Sequence, residues 1–251
     1  METYAQIHNA QRGKSSDKWE SYLPVYDRVF AGFREEAVTV LEVGVQNGGS
    51  LEVLAKYFPK AAHIVGCDVD PLCGNLRFDD PRISVVVGDI NSSEVLHRIG
   101  NETKSIDVFI DDGSHRAGDI VNTFVQYFPL VTPGGVYLIE DTHCLYWENW
   151  GGAVLRANSA QQLFKLLTDV LNYEHWQNDL SLQVFLSTFF PQRAIPPFLA
   201  EGWIEGIEFR NSMIVIHKAK QGTHAKLGTR LVVGDTFDVD ADTKQFQVPA
   251  R

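Results

Sequence analysis

A doubly wound, mostly parallel α/β sheet of seven strands, finished at one edge by an antiparallel hairpin, is the fold that the sequence predicts. Three observations carry it. Between residues 39 and 141, five short apolar runs (TVLEVG, HIVGCDVD, ISVVVGD, IDVFIDD and GGVYLIED) each end in an acidic residue or a glycine. Their apolar residues are continuous rather than alternating, which suits strands buried on both faces. Amphipathic stretches separate the runs, and repeated strand–helix order builds a sheet with helices on both sides.

The clearest helix is expected over 120–131, where Val121, Phe124, Val125 and Phe128 recur at helical spacing on one face. Beyond Asp141 the pattern changes. CLYWENWGG is aromatic and glycine-containing and reads as a loop. Residues 159–172 read as a helix whose buried stripe is Leu163, Leu166, Leu167, Val170 and Leu171, and LSLQVFLSTFF is a further apolar segment. Residues 207–218 form the expected hairpin, turning at Arg210, Asn211 and Ser212. The last thirty or so residues are polar and are expected to pack peripherally or in a subunit contact. A single domain over 1–251 follows, with a helical lid over 1–35, a core over 36–218 and a peripheral segment over 219–251.

Composition narrows the function. With 251 residues, 44% hydrophobic and 22% charged, the chain has material for a full core, which excludes a disordered or fibrous protein. No apolar run approaches the ~20 residues of a membrane span, and the polar first residues lack a secretory h-region. Cys67, Cys73 and Cys144 are an odd set without zinc spacing, so a reducing cytoplasm is expected. A formal charge of −10 disfavours nucleic acid as a partner.

Open α/β sheets bind ligands beyond the carboxyl ends of their strands. The first such end reads Leu41-Glu42-Val43-Gly44-Val45-Gln46-Asn47-Gly48-Gly49-Ser50. Gly44 permits a tight turn, and Gly48 and Gly49 let a ligand approach the main chain at a helix start. Asp68 ends the second strand, where a carboxylate can accept both hydroxyls of a ribose. The spacing G-x-x-x-G-G departs from a dinucleotide G-x-G-x-x-G, and Glu42 ahead of Gly44 repels phosphate. S-adenosylmethionine, cationic and free of phosphate, suits this turn better. Asp89 and Ile90 after the third strand are placed to meet its adenine.

Asp111-Asp112-Gly113-Ser114-His115 ends the fourth strand and Glu140-Asp141 the fifth. Neighbouring strands bring these carboxylates to one rim. Like charges at that range demand either protonation or a cation. All-oxygen ligands fit a hard ion such as Mg²⁺, with Mn²⁺ and Ca²⁺ as alternatives; the competing reading makes Asp112 a turn or cap residue. His115, three residues past Asp112, is then placed as a general base.

With these residues in hand, the chain resembles the metal-dependent sugar O-methyltransferases that act on macrolide antibiotics, the macrocin and mycinamicin enzymes, and their relatives in polysaccharide methylation. The matching pieces are SDKWESYLPVYDRVF, LEVGVQNGGS, GCDVD, VVVGDI, IDDGSH, FPLVTPGGVYLIED, YWENWGG, IEFRNSMIVIHK and GTRLVVG, spread from about Ser16 to about Gly234. The resemblance implies a Rossmann-like class I methyltransferase fold. It implies Asp112, Glu140 and Asp141 as Mg²⁺ ligands, His115 as base, and S-adenosylmethionine held by Glu42, Gly44, Gln46, Gly48, Ser50, Asp68, Asp89, Ile90 and Asp111. A homo-oligomer and a carbohydrate acceptor are implied too. Many relatives carry a histidine shortly after the S/T-D-K motif; here the stretch is Trp19-Glu20-Ser21-Tyr22. The run Tyr146-Trp147-Glu148-Asn149-Trp150 suits stacking on a sugar. A catechol-type methyltransferase and a non-catalytic interaction protein are the rival readings.

Overall fold

The computed structural model describes residues 1–190, 194–239 and 242. Its strands are β1 (Thr39–Val43), β2 (His63–Asp68), β3 (Ile83–Val87), β4 (Ile106–Asp111), β5 (Val131–Ile139), β6 (Ile204–Arg210) and β7 (Met213–Lys218). They form one sheet in the order β3-β2-β1-β4-β5-β7-β6. The first five are parallel, while β7 runs antiparallel to both β5 and β6. The seven expected strands and the edge hairpin are all present. After β3 the chain crosses back to place β4 against β1, so the switch point lies between β1 and β4.

Successive strand residues enter opposite cores, which explains the continuous apolar runs. Phe109 packs on one face of β4 and Val108 and Ile110 on the other, all fully buried. The first face is covered by α4 (Ser93–Glu102), α5 (Ala117–Tyr127) and α6 (Ala160–Leu171), with Phe109 and Tyr137 stacked at 4.4 Å. The second is covered by α1 (Tyr4–Asn9), α2 (Leu23–Phe30) and α3 (Gly49–Tyr57). Each such large apolar side chain contributes about 1.5–3 kcal/mol on burial.

Two expected helical stripes are rotated. The helix α5 starts at Ala117 and stops at Tyr127, burying Ile120, Thr123, Phe124 and Tyr127, while Val121 and Val125 are only half-buried. Phe128 belongs to the following 3-10 turn. In α6, capped by Ser159, Phe164 takes the place expected for Leu166 and Leu171. In each helix apolar residues sit beside the buried stripe, and packing against the sheet leaves them half-buried. LSLQVFLSTFF contributes α7 (Leu182–Ser187), and α8 (Pro197–Ala200) precedes the hairpin. The YWENWGG loop contains 3-10 turns. Residues 219–239 form neither helix nor strand, and His224, Lys226 and Leu227 bond back to Ala200 and Glu174. Residues 243–251 lie outside the described residues.

The N-terminal segment matters most for the site. A capping box between Thr3 and Gln6 starts α1. Tyr4 then packs against Tyr26 and Tyr57 at 4.8 and 5.3 Å, and Tyr26 stacks on Phe30 at 4.9 Å. These aromatics anchor α1 and α2 to α3, so the intervening residues 10–22 are drawn across the carboxyl ends of the strands.

Candidate active site

A cleft of about 560 Å³ opens at those ends, lined by Lys18, Trp19, Gly44, Gln46, Ser50, Asp68, Asp112, His115, Glu140 and Asp141 among others. The β1 turn is built by close approaches within the chain. A β-carbon on Gly44 would lie 2.0 Å from the Asp112 carbonyl oxygen, at a φ of +91° that glycine alone adopts easily. Gly48 and Gly49 differ from expectation. Gly48 is covered by Phe78 and Leu76 rather than opening on the cleft. Gly49 leaves room for Lys14 and Ser15, and its N–H donates to the Ser15 carbonyl. The side-chain positions of these two glycines are taken up by protein.

Asp68 ties the turn together. Its Oδ2 accepts from the Val45 and Gln46 N–H groups at 2.7 and 2.9 Å, and Oδ1 accepts from the Asp70 N–H at 2.9 Å. Oδ2 is filled by its two donors, and Oδ1 keeps room for one more. A second pocket of about 350 Å³ adjoins this turn and contains Asp89, Ile90 and Asp111. Asp89 also closes a turn onto the Asn91 N–H. Asp111 does not join the acidic cluster. It is buried toward Tyr137 and the Gly113 N–H, and burial pushes its carboxyl up to about 7.

At the acidic cluster the structure departs most from the sequence reading. The Lys18 ammonium lies among three carboxylates, 3.2 Å from Glu42 Oε1, 2.5 Å from Asp112 Oδ2 and 2.9 Å from Glu140 Oε1. Its side chain is only 2% exposed. The cation that Glu42 faces is therefore the chain's own. Ser50 donates to the same Glu42 oxygen at 2.6 Å, and Tyr26 donates to Glu140 Oε1. Burial would depress the Lys18 pKa, but Glu140, Asp112 and Glu42 outweigh it and hold the ammonium well above its ordinary value. Burial lifts the Glu42 and Glu140 carboxyls, against the pull of Lys18. Glu42 Oε2 is buried with no hydrogen-bond partner.

Asp141 faces the other way. Its Oδ1 accepts from Trp19 Nε1 at 3.0 Å and from the Tyr22 hydroxyl at 2.7 Å, and Tyr22 in turn lies 2.7 Å from Ser212 Oγ in the β6–β7 turn. The three expected metal ligands are consequently divided. One close set joins Glu42, Asp112 and Glu140, another joins Asp112, His115 and Asp141, and Asp112 is common to both. His115 Nε2 stands 3.6 Å from Asp141 Oδ2 and 3.9 Å from Asp112 Oδ1.

Gln46, His115 and Asp141, which follow β1, β4 and β5, have φ of 49°, 56° and 51°. Left-handed backbone at such residues costs on the order of 1 kcal/mol each and is kept where surroundings over-determine it. The rim is aromatic: His143 lies between Trp19 and Trp147 at ring distances of 6.2 and 4.9 Å, and Trp150 is 6.1 Å from His115.

Sequence reasoning missed Lys18, Tyr22, Tyr26 and Ser212. The first three lie in SDKWESYLPVYDRVF, a stretch that stood out only by resemblance, because nothing local shows which strand ends it will cross.

Residues 41–142 match a family model described as a methyltransferase domain. The chain is 33% identical over 219 residues to the 8-demethyl-8-(2-methoxy-alpha-L-rhamnosyl)-tetracenomycin-C 3'-O-methyltransferase of Streptomyces olivaceus, a match covering 82% of this chain and 52% of the relative. It is 34% identical over 168 residues to the mycinamicin VI 2''-O-methyltransferase of Micromonospora griseorubida, covering 63% and 41%. Among solved structures it resembles the MycE methyltransferase from the mycinamycin biosynthetic pathway, in complex with Mg, SAH and mycinamycin VI. There the TM-score is 0.70 at 27% identity, over 87% of this chain and 54% of that one. The chain spans about half the length of these relatives. In sequence and in fold, it is related over its class I methyltransferase core to the macrocin- and mycinamicin-type sugar O-methyltransferases.

Proposed function

We propose that the chain is an S-adenosylmethionine-dependent, Mg²⁺-dependent O-methyltransferase that methylates a hydroxyl of a sugar. The observation that carries the reading is His115 at the cleft mouth, with its Nε2 within 4 Å of the Asp112 and Asp141 carboxylates. A site with that imidazole, oxygen donors on two further strand ends and an adjoining turn around Asp68 suits methyl transfer to oxygen. The likeness to enzymes named as sugar O-methyltransferases and to a structure holding Mg and SAH supports it.

The donor set fits a hard divalent ion: Asp112, Glu140 and Asp141 offer only oxygen, and Glu42 keeps a buried, unpartnered oxygen beside them. Mg²⁺ held there would supply Lewis-acid polarisation of the acceptor hydroxyl, and S-adenosylmethionine would supply the methyl group, its sulfur keeping the electron pair of the broken bond.

The chain's own residues do the rest. Asp68 accepts a ribose hydroxyl on Oδ1 while Oδ2 holds the Val45–Gln46 turn. Asp89 and Ile90 line the adjoining adenine pocket. His115 takes the proton that the acceptor oxygen loses as it attacks the methyl carbon, and Asp141 and Asp112 stabilise the imidazolium that forms. Trp19, Trp147 and Trp150 frame the mouth with flat apolar faces to which sugar C–H groups can stack. Residues 15–19 line the cleft, which supports a lid role for that part of the N-terminal segment.

Among the described residues no helix is long and apolar enough to cross a membrane. Cys67, Cys73 and Cys144 are free and buried, which supports a reducing cytoplasmic setting.

The test is methyl transfer from S-adenosylmethionine to a panel of glycosides and catechols, read by mass spectrometry with Mg²⁺ and with excess EDTA. A gain of one methyl on a sugar hydroxyl, abolished by EDTA and restored by Mg²⁺, is the expected result. Transfer to catechols alone, or full activity in the chelator, overturns the reading.

A further inference from the structure

We propose that Lys18 is a positioning residue that acts as a resident cation. It holds the inner oxygens of the acidic cluster and leaves the outer oxygens for the divalent ion. This rests on the metal part of the function proposed above. Each of the three carboxylates is gripped on one oxygen by a side chain of the N-terminal segment. Asp112 Oδ2 is held by Lys18, Glu140 Oε1 by Lys18 and Tyr26, and Asp141 Oδ1 by Trp19 and Tyr22. Among the described residues, the opposite oxygens, Asp112 Oδ1, Glu140 Oε2 and Asp141 Oδ2, accept no hydrogen bond from the segment. Two of these, Asp112 Oδ1 and Asp141 Oδ2, face His115 at the cleft mouth.

The inner position is shaped as a cation site in its own right. Oxygens of Glu42, Asp112 and Glu140 gather within 4.8 Å of one another, and the ammonium sits among them. The arrangement is asymmetric in charge, with three carboxylates facing one buried ammonium. Glu42 Oε2 is the independent sign of that imbalance: it is a buried carboxylate oxygen with no donor at all. A carboxylate in that state attracts any cation that can reach it. Two cations cannot share the same oxygens at contact distance without strong repulsion. While Lys18 stays, the divalent ion is therefore confined to the outer position, next to His115.

The experiment counts bound Mn²⁺ by electron paramagnetic resonance in the wild type and in Lys18→Met, which keeps the volume and removes the charge. Hydrogen exchange over residues 14–22 is followed in the wild type with and without Mn²⁺. One ion in the wild type and two in Lys18→Met are expected, with exchange protection over 14–22 unchanged when the wild type takes up its ion. A single ion in both chains overturns this inference alone and leaves the methyl-transfer reading standing. Loss of protection over 14–22 on Mn²⁺ binding also overturns it, because the ion would then be displacing Lys18. Should Lys18→Met fail to fold, the wild-type exchange measurement decides by itself. A wild type that binds no Mn²⁺ overturns the metal reading and this inference together, while methyl transfer is assayed separately.

Discussion

Asp68 holds its turn and, in the proposed function, receives the ribose; two substitutions at this one position pull these roles apart. Its carboxylate accepts three backbone N–H bonds at 2.7, 2.9 and 2.9 Å, from Val45, Gln46 and Asp70. Hydrogen bonds to a charged group contribute about 1.5–3 kcal/mol each, but donors that regain water on truncation recover much of this. Gln46 and Asp70 are exposed, so only the Val45 N–H stays dry. Asp68→Ala is therefore expected to cost about 2–4 kcal/mol, lowering Tm by about 4–16 °C for a chain of this size. Asp68→Asn keeps one accepting oxygen for Val45 and Gln46 and should cost about 1 kcal/mol. The ribose sees the two variants alike, because its acceptor is Oδ1, which Asp68→Ala removes and which becomes an amide nitrogen in Asp68→Asn when the oxygen stays with Val45 and Gln46. Affinity for S-adenosylhomocysteine should fall about tenfold or more in both, equivalent to about 1.4 kcal/mol. Titration calorimetry and urea denaturation on the three proteins supply the numbers. An unchanged Kd in Asp68→Asn refutes the ribose role. Unchanged stability in Asp68→Ala refutes the turn-holding role.

Two further outcomes test other parts of the molecule. His115→Ala should lose about 10²–10⁴-fold in methyl-transfer rate, with affinity for cofactor and Mg²⁺ retained and partial rescue at raised pH, whereas Asp112→Ala should lose the metal; a near wild-type rate for His115→Ala at neutral pH refutes the base assignment. Hydrogen bonding from Arg28, with help from His217 and against partial burial, holds the Glu208 carboxyl down at about 2, below its ordinary 4.5. A depressed carboxylate contributes stability above its unfolded pKa and loses it as pH falls through the folded value. Glu208→Gln should thus be less stable than wild type at pH 7, by a margin that closes between about pH 4.5 and 2; a constant margin across urea denaturation at pH 7, 4 and 2 refutes this.

The sheet was legible because its signal is local. Five runs buried on both faces announce themselves as continuous apolar segments ending in Asp, Glu or Gly, and Arg210–Asn211–Ser212 marks its own turn. The rotated faces of α5 and α6 show the limit. Phe124 is followed by Val125 and Leu167 preceded by Leu166, and packing decides which is buried, Phe124 meeting Tyr137 and Phe198.

For the site, the sequence by itself determined which carboxylates and which histidine reach one rim, because parallel strands deliver their ends to the same edge. Glu42, Asp68, Asp112, His115, Glu140 and Asp141 all arrive there as expected. What answers their charge was decided by tertiary structure alone. Lys18 lies 24 residues from Glu42, 94 from Asp112 and 122 from Glu140, and no periodicity links them. Its placement follows from Tyr4, Tyr26 and Tyr57 locking α1 and α2 onto α3, which draws residues 10–22 across the strand ends. The same path explains Gly49, whose missing side chain makes way for Lys14 and Ser15. A like-charge cluster can be read from sequence as needing a cation; whether that cation is a metal or a lysine depends on a loop path that only packing sets.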